Sequence, residues 1–161
     1  MNLDAIVLAL AGIRRMGFEK RITEILSEDI SLPAIGQGAL GIETRVGDSV
    51  TAPYIDALND PDSAVCVLGE RAFLKKLEGG CQVPIAAYGR KTGLTLQLDG
   101  MVATVDGKTL IKHQVTGSVE EAESLGIKLA EILLDMGAKK ILDEIYGRWG
   151  PSVSLDDRND E

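Results

Sequence analysis

The chain has 161 residues, enough for one ordinary domain or for one small domain with parts of another. Apolar residues make up an ordinary 45%, but aromatics only 4%, so any core must be built from Leu, Ile, Val and Ala. A net charge of -8 argues against a nucleic-acid or anionic-membrane partner, and no apolar run approaches the ~20 residues that span a bilayer. One histidine and two cysteines, outside any CxxC, offer no metal site and leave a reduced, cytoplasmic setting as the default.

In chain order, Ala5-Ile6-Val7-Leu8 is a continuous apolar run that reads as a buried strand. A short helix through Ile13 and Met16 follows, with Gly17 as a left-handed cap. The spacing of Ile22, Ile25 and Leu26 predicts a second helix over 20–26. From Ile30 to Gly41, three glycines after a proline mark a segment shaped by its backbone. Residues 40–44 then read as a strand and 50–58 as a short helix.

Asn59-Asp60-Pro61-Asp62-Ser63 reads as a turn and helix start, with Asp62 or Ser63 as cap. The helix, over 64–78, is expected to bury Val65, Leu68 and Ala72 beside Cys66, Phe73 and Leu77, and Gly79-Gly80 ends it. Three strands follow, over 84–90, around Leu94, Leu96 and Leu98, and over 109–116, with a hairpin at Asp106-Gly107. Ser118 and Glu121 form a capping box opening a helix with Ala122, Leu125, Leu129, Ile132, Leu133 and Met136 on one stripe, closed by Gly137. A last helix over 139–146 carries Ile141, Leu142 and Ile145, and residues 148–161 are an acidic tail. Residues 59–147 therefore read as an α+β domain, and residues 1–58 as α/β pieces with too few strands to close a sheet.

Three stretches carry a resemblance. Leu32-Pro33-Ala34-Ile35-Gly36-Gln37-Gly38-Ala39-Leu40-Gly41-Ile42-Glu43 looks like the interdomain segment of porphobilinogen deaminases. Glu70-Arg71-Ala72-Phe73-Leu74 and Leu77-Glu78-Gly79-Gly80-Cys81-Gln82-Val83-Pro84-Ile85 resemble that family's cofactor-attachment helix and loop. Asp4-Ala5-Ile6-Val7-Leu8-Ala9 with Ala11-Gly12-Ile13-Arg14-Arg15-Met16-Gly17 matches the end of its second domain. The resemblance runs in order from Asp4 to Tyr146. It implies a transferase that condenses four porphobilinogen units into hydroxymethylbilane on a dipyrromethane primer, held by a thioether to the cysteine matching Cys81.

It also implies a domain plan. Residues 1–32 would finish a second domain and residues 33–58 would form a hinge and a returning segment of a first domain. Both would be remnants of periplasmic-binding-protein-like α/β domains whose remainder lies upstream. Residues 59–147 would be the cofactor-attachment domain. The expected partners are porphobilinogen, the growing linear oligopyrrole and the missing N-terminal domains, with no nucleic acid, membrane or metal.

The chemistry is compatible. A thiolate attacks a methylene electrophile well, and a thioether survives reducing conditions. Cys81 follows a helix C-terminus, where the dipole gives no help in lowering its pKa. Judged without context, a lone cysteine is more often half-buried and inert; the surrounding residues reverse that reading for Cys81, whereas Cys66 is assigned to the core. Arg14 and Arg15 suit a helix C-terminus electrostatically, and the resemblance favours Arg15 as a bidentate ligand for a substrate carboxylate. Gln37, Gly38 and Ala39 are expected to offer amide donors to the cofactor, or to act as a hinge. His113 is expected at a surface or edge position, and Glu120, Glu121, Glu123 and Lys128 on a solvated helix face.

Expelling ammonia needs a carboxyl group to handle the proton. The resemblance places that group upstream, so no catalytic residue is assigned here, and an acidic chain alone should repel a polycarboxylate substrate. The alternative is a non-catalytic α+β binding or scaffold module derived from the same domain. A Cys-His enzyme has no support, since His113 lies on a strand with nothing marking it as a partner. Residues 1–58, lacking sheet partners, should self-associate or exchange amide hydrogens readily. A clean monomer on size-exclusion chromatography with a fully protected N-terminal half would contradict this.

Overall fold

The computed structural model describes residues 3–78 and 83–149. It divides into two compact units, Met1–Ser31 and Leu32–Glu161.

The described residues of the first unit contain one α-helix, α1 (Leu10–Arg15). Its end is a Schellman motif: Gly17 N–H donates to Arg14 C=O and Phe18 N–H to Ile13 C=O, with Gly17 at φ +69°. The strand expected at residues 5–8 does not form, and Ile6, Val7 and Leu8 are exposed. A strand is completed by a neighbour's hydrogen bonds, and none is present among the described residues. The helix expected over 20–26 shrinks to a single 3₁₀ turn at Glu19–Arg21, after which Ile22 is already extended. A seven-residue amphipathic stretch with no surface to bury its apolar side cannot offset the cost of helix nucleation.

In the second unit, residues 39–45 carry no regular structure, so the strand expected over 40–44 is absent for the same reason. Leu40 is 96% exposed and Ile42 51%. The helix expected over 50–58 contracts to α2 (Ala52–Asp56).

Beyond α2 the expected α+β domain is present. Helix α3 (Pro61–Lys76) starts with proline in its first turn, where a missing N–H costs nothing. Its cap is Asp60, whose carboxylate accepts the Ser63 N–H at 2.7 Å, and not Asp62 or Ser63. Strands β1 (Ile85–Thr92), β2 (Thr95–Ala103) and β3 (Leu110–Ser118) form an antiparallel sheet with β2 central. The Asp106-Gly107 turn joins β2 to β3, closed by Gly107 N–H on Thr104 C=O. Ser118 Oγ accepts the Glu120 N–H, capping a 3₁₀ turn that leads into α4 (Ala122–Leu133). A π turn over Leu134–Ala138, with Gly137 at φ +108°, bends the chain into α5 (Lys139–Trp149).

The core lies between the sheet and these three helices. Leu96, Leu98 and Val102 of β2 meet Phe73, Leu77, Leu129, Leu133, Ile141, Leu142 and Ile145. Leu68 is not part of it: that side chain is 48% exposed, and the inward face of α3 is instead Gly69, Ala72, Phe73 and Leu77 with Glu70. Met136 is also exposed. The face of α3 is set by its crossing with α4, where Gly69 and Ala72 lie against Ala122 and Gly126. Backbones approach so closely there that only small residues fit.

The opposite sheet face is polar. Asp99 is nevertheless only 6% exposed, because Arg90, Gln97 and Gln114 close over its carboxylate. The Arg90 guanidinium also lies over the Tyr88 ring, 5.4 Å from its centroid. At the end of α3, Glu78 has φ +53°, and its carbonyl accepts the Tyr146 hydroxyl of α5 at 2.6 Å.

A Cβ on Gly126 would collide with the Gly69 carbonyl oxygen and come within 2.9 Å of Ala72 Cβ. Gly126→Ala is therefore expected to lower unfolding free energy by about 2–3 kcal/mol despite alanine's better helix propensity. Urea unfolding with an unchanged m-value checks this.

Candidate cofactor and substrate site

Residues Ala34 to Ala39 fold as two consecutive β-turns. Gln37 N–H donates to Ala34 C=O at 2.9 Å and Ala39 N–H to Gly36 C=O at 3.1 Å. Gly36 (φ +67°) and Gly38 (φ +89°) occupy the left-handed third positions, which side chains disfavour. The Gln37 side-chain oxygen accepts the Ala34 N–H. Gln37, Gly38 and Ala39 are all exposed. Two of the expected donors, the backbone N–H groups of Gln37 and Ala39, are thus consumed within the turns. Gly38 N–H and Gln37 Nε2 carry no hydrogen bond among the described residues.

The turns are fastened by Glu70, a residue that pattern reading left without a role of its own. Its carboxylate is 6% exposed, accepting the Gly36 N–H at 2.7 Å and the Gly89 N–H at 2.8 Å. Gly89 belongs to β1, whose other side pairs with β2, so Glu70 satisfies an amide on the open edge of the sheet. Burial pushes the Glu70 carboxyl above the usual glutamate range, while the two N–H groups pull it back.

Glu70 is one of three residues at i, i+4, i+8 on α3 that follow this edge. Asp62 pairs with Lys91 Nζ at 2.6 Å. Between them, Cys66 is half-buried against the core, close to the Gly89 backbone. Its thiol is pushed up by burial first and by the Glu70 charge second, partly offset by the Lys91 N–H. The spacing was available in the sequence, but its buried carboxylate reads there as a solvated charge.

Of the residues singled out by sequence, Cys81 lies outside the described residues. Arg15 is the exposed last residue of α1 in the first unit, and Gln37, Gly38 and Ala39 lie in the second. His113 is an exposed residue of edge strand β3, opposite Gly100, as expected. No group of three or more metal-ligating side chains occurs among the described residues.

The domain built on α3 and the sheet matches, over residues 64–135, a family model described as porphobilinogen deaminase, C-terminal domain. Residues 1–52 match a second model, described as porphobilinogen deaminase, dipyromethane cofactor binding domain. Similar proteins include porphobilinogen deaminases of Trichlorobacter lovleyi (51% identity), Geobacter metallireducens (54%) and Chlorobaculum tepidum (51%). The alignments cover 91%, 91% and 89% of this chain and 47%, 46% and 47% of those proteins. The chain belongs to the porphobilinogen deaminase family, one of transferases of tetrapyrrole synthesis. It spans about half the length of the curated relatives it matches.

Because burial raises its folded-state pKa, Glu70 holds its proton more tightly in the folded chain than in the unfolded one. Its contribution to stability is fully present below about pH 4.3, the ordinary glutamate value, and is lost as pH rises through the folded pKa. Glu70→Gln mimics the protonated carboxyl, with one acceptor and one donor toward the two N–H groups, so near pH 4.5 it is expected to lie within about 1 kcal/mol of the parent. Toward pH 7 the variant should gain on the parent, which loses stability as Glu70 ionises while the variant does not. Denaturant unfolding at both pH values checks the sign.

Proposed function

We propose that this chain is the cofactor-carrying part of a transferase that condenses four porphobilinogen units into hydroxymethylbilane, releasing ammonia at each addition. The match of residues 1–52 to a cofactor-binding domain model carries this reading. The Leu77-Glu78-Gly79-Gly80-Cys81-Gln82-Val83-Pro84 sequence supports Cys81 as the attachment point of dipyrromethane. When bound, that group supplies the pyrrole carbon to which the next unit is joined.

The chain's own residues have distinct tasks in this reading. The Cys81 thiolate would add to the methylene of an azafulvene-like pyrrole from which ammonia has already left, so the carbon–sulfur bond forms with no further leaving group, and a thioether suits a reducing, cytoplasmic setting. Gly38 N–H and Gln37 Nε2 donate to cofactor carboxylates; the turns leave both available, and Glu70 fixes the turn that carries them. Arg15 presents its planar guanidinium to a substrate acetate or propionate of porphobilinogen or the growing oligopyrrole. No Asp or Glu of this chain is given the acid–base role, which belongs to a carboxylate of the first domain. Residues 1–32 complete a second domain and 33–58 a hinge and first-domain segment, consistent with the exposed, unpaired apolar runs at 5–8 and 40–44. The chain alone is therefore inactive in hydroxymethylbilane synthesis.

The test is intact mass under reducing conditions, compared with Cys81→Ser. A dipyrromethane-sized increment present in the parent and absent in the variant is the expected result once the remaining domains are supplied. An increment that survives Cys81→Ser would overturn the attachment point. Steady-state hydroxymethylbilane formation by the purified chain alone would overturn its inactivity.

A further inference from the structure

The two glycine turns are tied to the α+β domain by an apolar and a polar contact. The Ile35 side chain packs against the core, and a Cβ on Gly36 would come 4.0 Å from Val67 Cγ1 of α3. Beside this contact the Gly36 N–H reaches the Glu70 carboxylate, whose other oxygen is taken by Gly89. Gly89 has no freedom of its own, because β1 is paired with β2 from Ile85 to Thr92. Glu70 is thus braced on rigid elements and holds the turns from there.

At residue 40 the pattern changes. From Ala34 to Ala39, four backbone N–H groups have acceptors: Ala34 on Gln37 Oε1, Gly36 on Glu70, Gln37 on Ala34 C=O and Ala39 on Gly36 C=O. From Leu40 to Gly47, no backbone N–H donates a hydrogen bond among the described residues. The side chains of Leu40, Ile42 and Val46 are exposed. Residues 40–47 therefore have little to restore them when displaced, whereas the turns lift away only by breaking a charge-assisted hydrogen bond.

We propose that Glu70 is a positioning residue that makes residues 32–39 a rigid clip of the α+β domain, so that the flexible joint of this segment begins at Leu40 and not within the glycine turns. Glu70 touches neither substrate nor cofactor in this role. The bearing on chemistry rests on the function proposed above: Gly38 N–H and Gln37 Nε2 move with the α+β domain, and their aim at a cofactor carboxylate is set from α3.

The test is amide hydrogen exchange at pH 7, read residue by residue on the full chain and on Glu70→Gln. In the parent, the Gly36 amide is expected to be protected at least about tenfold more than those of Leu40–Gly47. A Gly36 amide that exchanges as freely as that stretch overturns the clip. The carboxamide of Glu70→Gln has a single acceptor, which Gly89, held by its strand, retains, so Gly36 loses its partner. Gly36 exchange is then expected to rise about tenfold or more, while Gly89, Leu98 and Leu129 keep their rates and the melting temperature does not fall. A role confined to overall stability would move Gly36, Leu98 and Leu129 together or leave Gly36 unmoved, and either pattern overturns the proposal.

A second variant addresses the apolar contact. Ile35→Ala leaves Glu70 and the core helices in place and is expected to raise Gly36 exchange with no change at Leu129. Equal rises at Gly36 and Leu129, or an unmoved Gly36, would show that Ile35 does not hold the clip and overturn it. These readouts need no cofactor, so a Cys81 that acquires no dipyrromethane would be seen separately, in the intact mass.

Discussion

A single carboxylate fixes the relation between three parts of the second unit. Glu70 lies on α3, one of its oxygens takes an amide from the outer edge of β1, and the other takes an amide from the turn at Gly36. A neutral side chain of similar size could satisfy one N–H group but not both. Burial works against the charge, and the pair of donors is what makes it tolerable at that depth. The turn bearing Gln37 and Gly38 is consequently indexed to the α+β domain and does not behave as a loose linker. Gly69, the preceding residue, makes the close crossing with α4, so the same turn of helix α3 sets both its distance from its neighbour and its grip on the sheet.

The elements that were legible in the sequence are those whose partners lie within the chain. The alternation of Leu94, Leu96 and Leu98, the Asp106-Gly107 turn and the stripe of α4 all have their complements inside residues 59–147, and the sheet and helices form as read. The runs at 5–8 and 40–44 have strand composition without strand partners, and composition cannot supply hydrogen bonds. Leu68, expected in the core, is exposed, because helical periodicity assigns faces by hydrophobicity. Here a contact between small residues, Gly69 and Ala72 with Ala122 and Gly126, decides the rotation of α3. The proposed site was legible through resemblance, in Cys81, Arg15 and the 37–39 turn. Glu70 was present in the same matched motif yet had no mark of burial, since a glutamate among charged neighbours ordinarily faces water.

The two cysteines illustrate how environment divides identical side chains. Cys66 is surrounded by the backbone of β1 on one side and by Glu70 and Asp62 along its own helix, so its thiol is disfavoured from ionising. Its function is packing: the Gly89 backbone approaches it so closely that a side chain on β1 at that point would not fit. Electrophile chemistry at neutral pH is thereby discouraged at one of the chain's two thiols.

On the far face of the sheet, Asp99 gathers donors from every strand: Arg90 from β1, Gln97 from its own strand and Gln114 from β3. Those donors belong to fixed pairings, with Tyr88 and Gln114 directly opposite Asp99. Sliding either edge strand by one residue would turn its donor to the other face and leave a desolvated carboxylate unanswered. A polar cluster thus acts as a key on this face: a misaligned edge strand meets an unanswered charge here and loses the burial of Ile85, Ala87 or Val115 on the other.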